Sequence, residues 1–259
     1  MQCYTLGMVN RTDVKPYISI IIPCYKAGTF IISSLDHVEN QMRMLVRDYE
    51  IICVIDGIVD DSFSKAQNLA KNNARIKVFG YKKNRGKGYA VRYGMVRAKG
   101  DIIGFIDAGG EIDPASLSEL FKIFIVKKAD IVVGSKRHPK SDIIYPPIRR
   151  LFSFIYLYLV KVLFGIKVSD TQAGIKLFRK GVIKKLLPSL RVNGFAFDIE
   201  LLSLAKVYGF SNVYEAPIKV RMVHGEKSST IGNFWQLIKA SFEMLGDSLR
   251  LYLRIKGEE

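Results

Sequence analysis

Carboxylates at the ends of apolar runs are the side chains in this sequence best placed to do chemistry. Asp56 follows Glu50-Ile51-Ile52-Cys53-Val54-Ile55, Asp107 follows Ile102-Ile103-Gly104-Phe105-Ile106, and Asp198 with Glu200 follows Gly194-Phe195-Ala196-Phe197. Against 40 Lys+Arg and only 24 Asp+Glu, acids in those positions predict a site that collects a cation or a polar ligand. Asp107-Ala108-Gly109-Gly110-Glu111 sets a carboxylate before glycines that let the backbone approach a ligand. That pattern suits Mg2+ or Mn2+ bridging two phosphates. Asp113-Pro114 reads as the start of a helix. Asn84-Arg85-Gly86-Lys87-Gly88 brackets a lysine with glycines just before a helix, either a phosphate cradle or a plain turn. It is neither a P-loop nor a dinucleotide fingerprint.

Other polar residues divide between roles. Asp56 could accept the N–H of a nucleobase, while Asp60 or Asp61 reads as a helix cap. Asp198 and Glu200 face opposite sides if extended, so one of them points into the site; Asp198 could instead cap the following helix. Lys136, Arg137, His138, Lys140, Arg149 and Arg150 precede the long apolar stretch Leu151 to Val168. Ser153 would share a helical face with an arginine, and guanidinium forks suit phosphate oxygens. The other reading is a solvated charge run beside a core helix. His37, His138 and His224 are too dispersed to form a metal cluster.

These residues need a scaffold. Strands are expected at 18–23, 49–55, 76–79, 101–106, 131–134 and 213–220, and helices at 27–44, 61–72, up to 97 after the Gly86-Lys87-Gly88 loop, 148–164, 199–208 and 234–255. Four strand–helix alternations predict an α/β doubly wound, mostly parallel sheet, whose ligands bind beyond the carboxyl ends of the strands. Residues 1–16 read as a tail, 17–230 as the main domain and 231–259 as a C-terminal amphipathic helix.

The net charge of +16 predicts polyanionic partners: nucleic acid, an anionic membrane surface or phosphorylated small molecules. No nucleic-acid module is recognisable, and such binding would not explain the acids at strand tips. Cys3, Cys24 and Cys53 lack paired zinc spacing and read as reduced thiols in a cytoplasmic setting. Met1 to Tyr17 has no signal-peptide core. Lys161 and Lys167 interrupt the long apolar stretch, which fits a helix in the headgroup region better than a span of the bilayer.

With those residues in place, the chain resembles the family 2 nucleotide-sugar glycosyltransferases, and among them the dolichyl-phosphate glucosyl- and mannosyltransferases. Ile20-Ile21-Ile22-Pro23-Cys24-Tyr25, Val54-Ile55-Asp56-Gly57 and Asn84 to Gly88 resemble successive family segments. Ser169-Asp170-Thr171-Gln172-Ala173-Gly174-Ile175-Lys176-Leu177-Phe178 and Phe197-Asp198-Ile199-Glu200-Leu201-Leu202 resemble the glucosyltransferase branch. The sequence departs from the family at Asp107-Ala108-Gly109, where Asp-x-Asp is usual, at Ile55, and at Tyr25-Lys26-Ala27. The resemblance implies the A-type transferase fold and a hexosyltransferase that moves a hexose, with inversion, from a nucleotide diphospho-sugar to a polyprenyl (dolichyl) phosphate. It would work peripherally on the inner, cytoplasmic face of a membrane, with room for a separate membrane-spanning partner.

The site so expected has Asp107, Lys87 and Asp198 for catalysis, and Pro23, Tyr25, Asp56, Gly86, Lys87, Asp107 and Ala108 around the nucleotide sugar. Lys136, Arg149, Arg150 and Ser153 would hold the acceptor phosphate, and Asp107 with Glu111 or Asp113 the metal, Mg2+ or Mn2+. A lipid phosphate is already an anionic nucleophile and needs no general base. Two alternatives stay open: a sugar-hydroxyl acceptor with Asp198 or Glu200 as base, and a non-catalytic nucleotide- or membrane-binding subunit.

Overall fold

The computed structural model of the chain describes residues 17–143, 158–220 and 234–258. Its first half alternates strictly: β1 (Ile18–Cys24), α1 (Ile31–Leu45), β2 (Tyr49–Asp56), α2 (Ser62–Lys71), β3 (Ile76–Tyr81), α3 (Lys87–Met95), β4 (Ile102–Ile106), α4 (Ser116–Val126) and β5 (Ile131–Ser135). The second half holds β6 (Asp142–Ile143), a helical stretch α5 (158–164), β7 (Ile175–Arg179), α6 (Lys180–Leu186), α7 (Phe197–Val207), β8 (Val213–Pro217), β9 (Lys219–Val220) and α8 (Phe234–Glu258).

Seven strands form one sheet in the order β3-β2-β1-β4-β7-β5-β8. Every neighbouring pair is parallel except those of β7, which runs antiparallel to β4 and to β5. The continuous Ile/Val runs of β1, β2, β4 and β5 have this form because helices cover both faces of the sheet. Alternation along each strand feeds two cores. Ile20 and Ile22 of β1 join Ile31, Leu35, Val38 and Met42 of α1 on one face, while Ile21 meets Val91 of α3 and Leu201 of α7 on the other. The α1 residues recur at helical spacing, one stripe of a helix whose outer face is polar.

Three expectations are corrected. The run before Asp198 is not a strand: Phe197 opens α7, so Asp198 and Glu200 lie in its first turn. Asp198 does not cap that helix, whose N-cap is Ala196 without a side-chain cap bond. The expected strand at 213–220 divides into β8 and β9, and β9 leaves the main sheet to pair with β6, two residues of the expected polar loop.

Among the described residues, no helix is long and apolar enough to cross a membrane. In α5, Val160 and Phe164 are buried while Tyr158 and Val162 are exposed. Residues 1–16, 144–157, 221–233 and 259 lie outside the described residues, and with them Arg149, Arg150, Ser153 and His224.

Candidate active site

Parallel strands end their carbonyl-side tips on one rim, and antiparallel β7 begins there. Asp107, immediately after β4, donates its backbone N–H to Gly174 O at 2.8 Å, just before β7. Gly174 is required by this approach: a Cβ there would stand 1.9 Å from Asp107 Oδ2. Pro23 lies near the end of β1, Tyr25 beyond it is 40% exposed, and Lys136 follows β5.

Asp56 ends β2, 3% exposed, and its carboxylate is satisfied within the chain. Oδ1 accepts from Tyr81 Oη at 2.8 Å and Arg85 N at 2.7 Å; Oδ2 accepts from Asn84 Nδ2 at 3.0 Å and Gly86 N at 2.9 Å. Four donors match the capacity of a carboxylate, so Asp56 builds the 84–86 loop instead of standing open to a ligand. Burial first, and then this carboxylate, push the Tyr81 phenol well above its ordinary range. Gly86 has φ +99°, and a Cβ on it would meet Asn193 O at 2.5 Å, so the loop closes against residues 193–194 only with glycine.

Lys87, the next residue, opens α3 and reaches back to the rim. Its Nζ donates to Asp107 Oδ2 at 3.0 Å and to Asp198 Oδ2 at 3.2 Å. Three consecutive residues, Arg85 to Lys87, thus join the tips of β2 and β4. Asp198 also accepts from Lys176 Nζ at 2.5 Å, and that fully buried ammonium donates again to Ala173 O at 2.7 Å. The result is an alternating chain of charge, Asp107–Lys87–Asp198–Lys176, running from the rim into the core.

Burial and charge oppose each other along this chain. Burial disfavours the Lys87 ammonium, but Asp107 and Asp198 outweigh it and hold its pKa above the ordinary lysine range. At Lys176 burial wins, and its pKa is lowered despite Asp198. Burial acts to raise Asp198, but Lys176 and Lys87 prevail and keep it ionised, below its usual value.

Glu200 serves a different face. It is fully buried and accepts from Arg191 N at 2.8 Å, Val192 N at 2.9 Å and Arg254 of α8 at 2.6 Å. Two residues along a helix separate side chains by more than half a turn, which is why Asp198 reaches the rim while Glu200 holds a loop and α8. Elsewhere, Asp61 is the N-cap of α2 without a side-chain cap bond and pairs with Lys65, while Asp60 before it accepts from Ser62 N and Gly28 N, each at 3.1 Å.

The acceptor side is described in part. Lys136 N donates to Asp170 Oδ2 at 3.0 Å, so the Ser169-Asp170 segment sits beside the tip of β5. Gln172 Nε2 is buried there without a hydrogen-bond partner. For a metal, Asp107 Oδ1 is a buried carboxylate oxygen with no hydrogen bond, facing only the Lys87 ammonium at 3.0 Å. That atom fits a hard cation. Glu111 is exposed, Ala108 is buried with its carbonyl taken by Ser34, and no group of three His, Cys, Asp or Glu gathers among the described residues. Cys24 and Cys53 are buried free thiols on neighbouring strands, with Sγ atoms 3.8 Å apart.

Sequence reasoning did not single out Lys176, Gly174 or Asn193 for the site. The first two lie in the Ser169–Phe178 segment, and an apolar run broken by one lysine was the only local signal.

A model of the family described as "Glycosyl transferase family 2" matches residues 19–187. The dolichyl-phosphate beta-glucosyltransferase of Saccharomyces cerevisiae is 29% identical over 238 residues, covering 84% of this chain and 71% of its own length. The protein of the same name from Drosophila melanogaster is 34% identical over 205 residues, 73% of this chain and 62% of its own. Among solved structures, glucosyl-3-phosphoglycerate synthase from Mycobacterium tuberculosis, with Mn2+, uridine diphosphate and phosphoglyceric acid, superposes with a TM-score of 0.67. Its identity is 19% over 92% of this chain and 79% of the other, a likeness of fold. The same enzyme has also been solved with Mg2+ and uridine diphosphate.

Proposed function

Because the chain belongs to glycosyl transferase family 2, we propose that it moves a hexose, glucose by its relatives' names, from a nucleoside diphospho-sugar to a polyprenyl phosphate of the dolichyl class. The single observation that carries the site assignment is Lys87 held between Asp107 and Asp198 at the strand rim. A part-buried, preorganised ammonium there faces the place where a leaving nucleoside diphosphate gains charge. Asp198 fixes that ammonium, Lys176 fixes Asp198, and Asp56 shapes the loop from which Lys87 departs.

The acceptor phosphate is anionic at neutral pH, so the chain must orient it rather than deprotonate it. Lys136, at the tip of β5, with Arg149, Arg150 and Ser153, supplies the cations and hydroxyl for that grip. In-line attack on the anomeric carbon then inverts the sugar, the C–O bond to the diphosphate breaking as the bond to the lipid phosphate oxygen forms. Mg2+ or Mn2+ would be held by Asp107, with Glu111 as second candidate and the donor phosphates completing its shell; when bound it supplies positive charge at the diphosphate. Pro23, Tyr25, Gly86 and Ala108 line the donor side of the same rim. Residues 17–230 form the transferase domain in this reading, with α8 as an appended amphipathic helix. The chain works peripherally on the cytoplasmic membrane face, with the exposed Tyr158 and Val162 of α5 toward the headgroups while Val160 and Phe164 stay in the core, with or without a membrane-spanning partner.

A sugar-hydroxyl acceptor is less well served. Asp198 is neutralised by two lysines and Glu200 is consumed by Arg254 and two backbone N–H groups, so neither offers a base. Incubation of the chain with UDP-glucose or GDP-mannose, a short polyprenyl phosphate and Mg2+ or Mn2+ tests the reading. Solvent-extractable labelled lipid is expected with UDP-glucose. Label appearing only in water-soluble saccharide, or no turnover with any pair, would refute it.

A further inference from the structure

Behind the rim, between α3 and the 187–193 segment, lies a cleft of about 530 Å³, within the size range of small-molecule sites. Arg85, Arg92 and Arg191 line it together with the Tyr89 ring, and Leu187 and Leu190 form an apolar wall. No carboxylate lines this cleft among the described residues. All three guanidiniums are already positioned, Arg191 by donating to Leu190 O at 3.1 Å. Arg92 donates to Val192 O at 3.2 Å and to Asn193 Oδ1 at 2.7 Å, and Arg85 donates to Tyr89 Oη at 2.9 Å while its guanidinium carbon lies 4.7 Å from the centre of the Tyr89 ring. Each uses only part of its five N–H donors in these bonds. Burial chiefly, opposed by Glu200 and reinforced by the Arg191 charge, holds Arg92 below the ordinary arginine range. Sharing Arg191 and Asn193, a second cleft of about 350 Å³ adjoins it beside α8, lined also by Arg250, already paired with Asp247, and Arg254, already paired with Glu200.

We infer that this arginine-lined cleft is a second anion site, separate from the rim, that takes a phosphate group borne on a partly apolar molecule. Guanidinium forks match phosphate oxygens, and the leucine wall with the tyrosine ring receives whatever carries the phosphate. The site touches the rim through the backbone. Asn193 O accepts from Gly88 N at 2.7 Å, and Arg85 and Gly88 flank the Gly86-Lys87 pair, so an anion here stiffens the turn that launches Lys87.

The ligand chemistry has two sources, a soluble phosphate or a lipid headgroup, and the experiment separates them. The full chain and an Arg85→Glu/Arg191→Glu variant, both residues exposed, are titrated with inorganic phosphate. Each is then sedimented with phosphatidylcholine vesicles, with and without phosphatidylserine. Losing two charge-assisted contacts lowers the affinity by at least tenfold. A tenfold loss confined to phosphate assigns a soluble ligand, and a loss of pelleting on the phosphatidylserine vesicles assigns a lipid headgroup; each supports the site. Because Lys87, Lys136, Arg149 and Arg150 stay intact, equal binding by the two proteins in both assays would overturn it, and so would binding by neither. Hexose transfer is not measured, so the result stands apart from the proposed activity.

Discussion

The tip of β2 and the first turn of α7 meet the same problem, a buried carboxylate, with opposite chemistry. Asp56 is surrounded by neutral donors: a phenol, an amide and two backbone N–H groups. Asp198, equally buried, is held by two ammoniums. Neutral donors define shape, and they fix the path of the 84–86 loop. Ammonium partners carry charge that an arriving diphosphate can share, so the Asp198 side of the site handles electrostatics. In a shape-building carboxylate the hydrogen-bond count matters; in a charge-holding one the sign matters.

The largest effect should come from breaking the charged side. Asp198→Ala strands the Lys176 ammonium in the core and leaves Lys87 with Asp107 alone, and is expected to cost about 3–5 kcal/mol of stability, read by urea denaturation. Lys176→Met should cost clearly less, because Asp198 keeps Lys87. The pH dependence follows the same logic. The folded pKa of Asp198 lies below its ordinary 3.8, so the unfolded chain binds more protons in the window between the two. The contribution is complete above about 4 and is lost as acid carries the pH down through the folded value. Asp198→Asn should flatten this acid limb in melts taken across pH. Lys87 acts oppositely: its raised pKa gives stability that is complete below about 10.4 and fades only under alkali stronger still.

At the rim itself, Asp107→Asn should lower transfer by about 10²–10³-fold while the melting temperature barely moves, since the side chain is 41% exposed. Near-normal turnover would remove Asp107 from the mechanism. Gly174→Ala tests the same carboxylate from behind, and a methyl pressed on Asp107 should reproduce much of that loss without touching the acid.

On the neutral side, Asp56→Asn presents an amide to donors that need an acceptor. A stability loss of about 1–3 kcal/mol and a raised donor KM are expected, with kcat less affected. If Asp56→Asn instead abolished kcat as fully as Asp107→Asn, the division between shape and charge would fail. The smallest change is Asp60→Ala, which removes the acceptor of Ser62 N and Gly28 N beside the start of α2 and should cost about 1 kcal/mol with normal activity.

Much of this was legible along the chain because local sequence carries it. Ile18–Ile22 and Ile51–Ile55 read as strands because residues apolar on both faces need cover on both sides. Asp107 and Lys87 stood out because glycines follow one and flank the other. Less was legible after residue 135. Antiparallel β7 between β4 and β5 leaves no local mark, since strand order is set by which edges meet. Ile175-Lys176-Leu177-Phe178 gives no sign that its lysine is buried; only the packing of α7 over β7 puts Asp198 against it.

The amino-acid sequence alone therefore determined the alternating strands and helices, the one rim on which strand tips had to converge, and two of the residues on it, Asp107 and Lys87. Tertiary structure decided the partners. Which carboxylate is saturated by neutral donors, which is held by two lysines, and which ties down α8 depends on contacts between residues up to 111 positions apart. Burial converts those contacts into pKa shifts by stripping water from charges that, in the linear chain, would all be solvated alike.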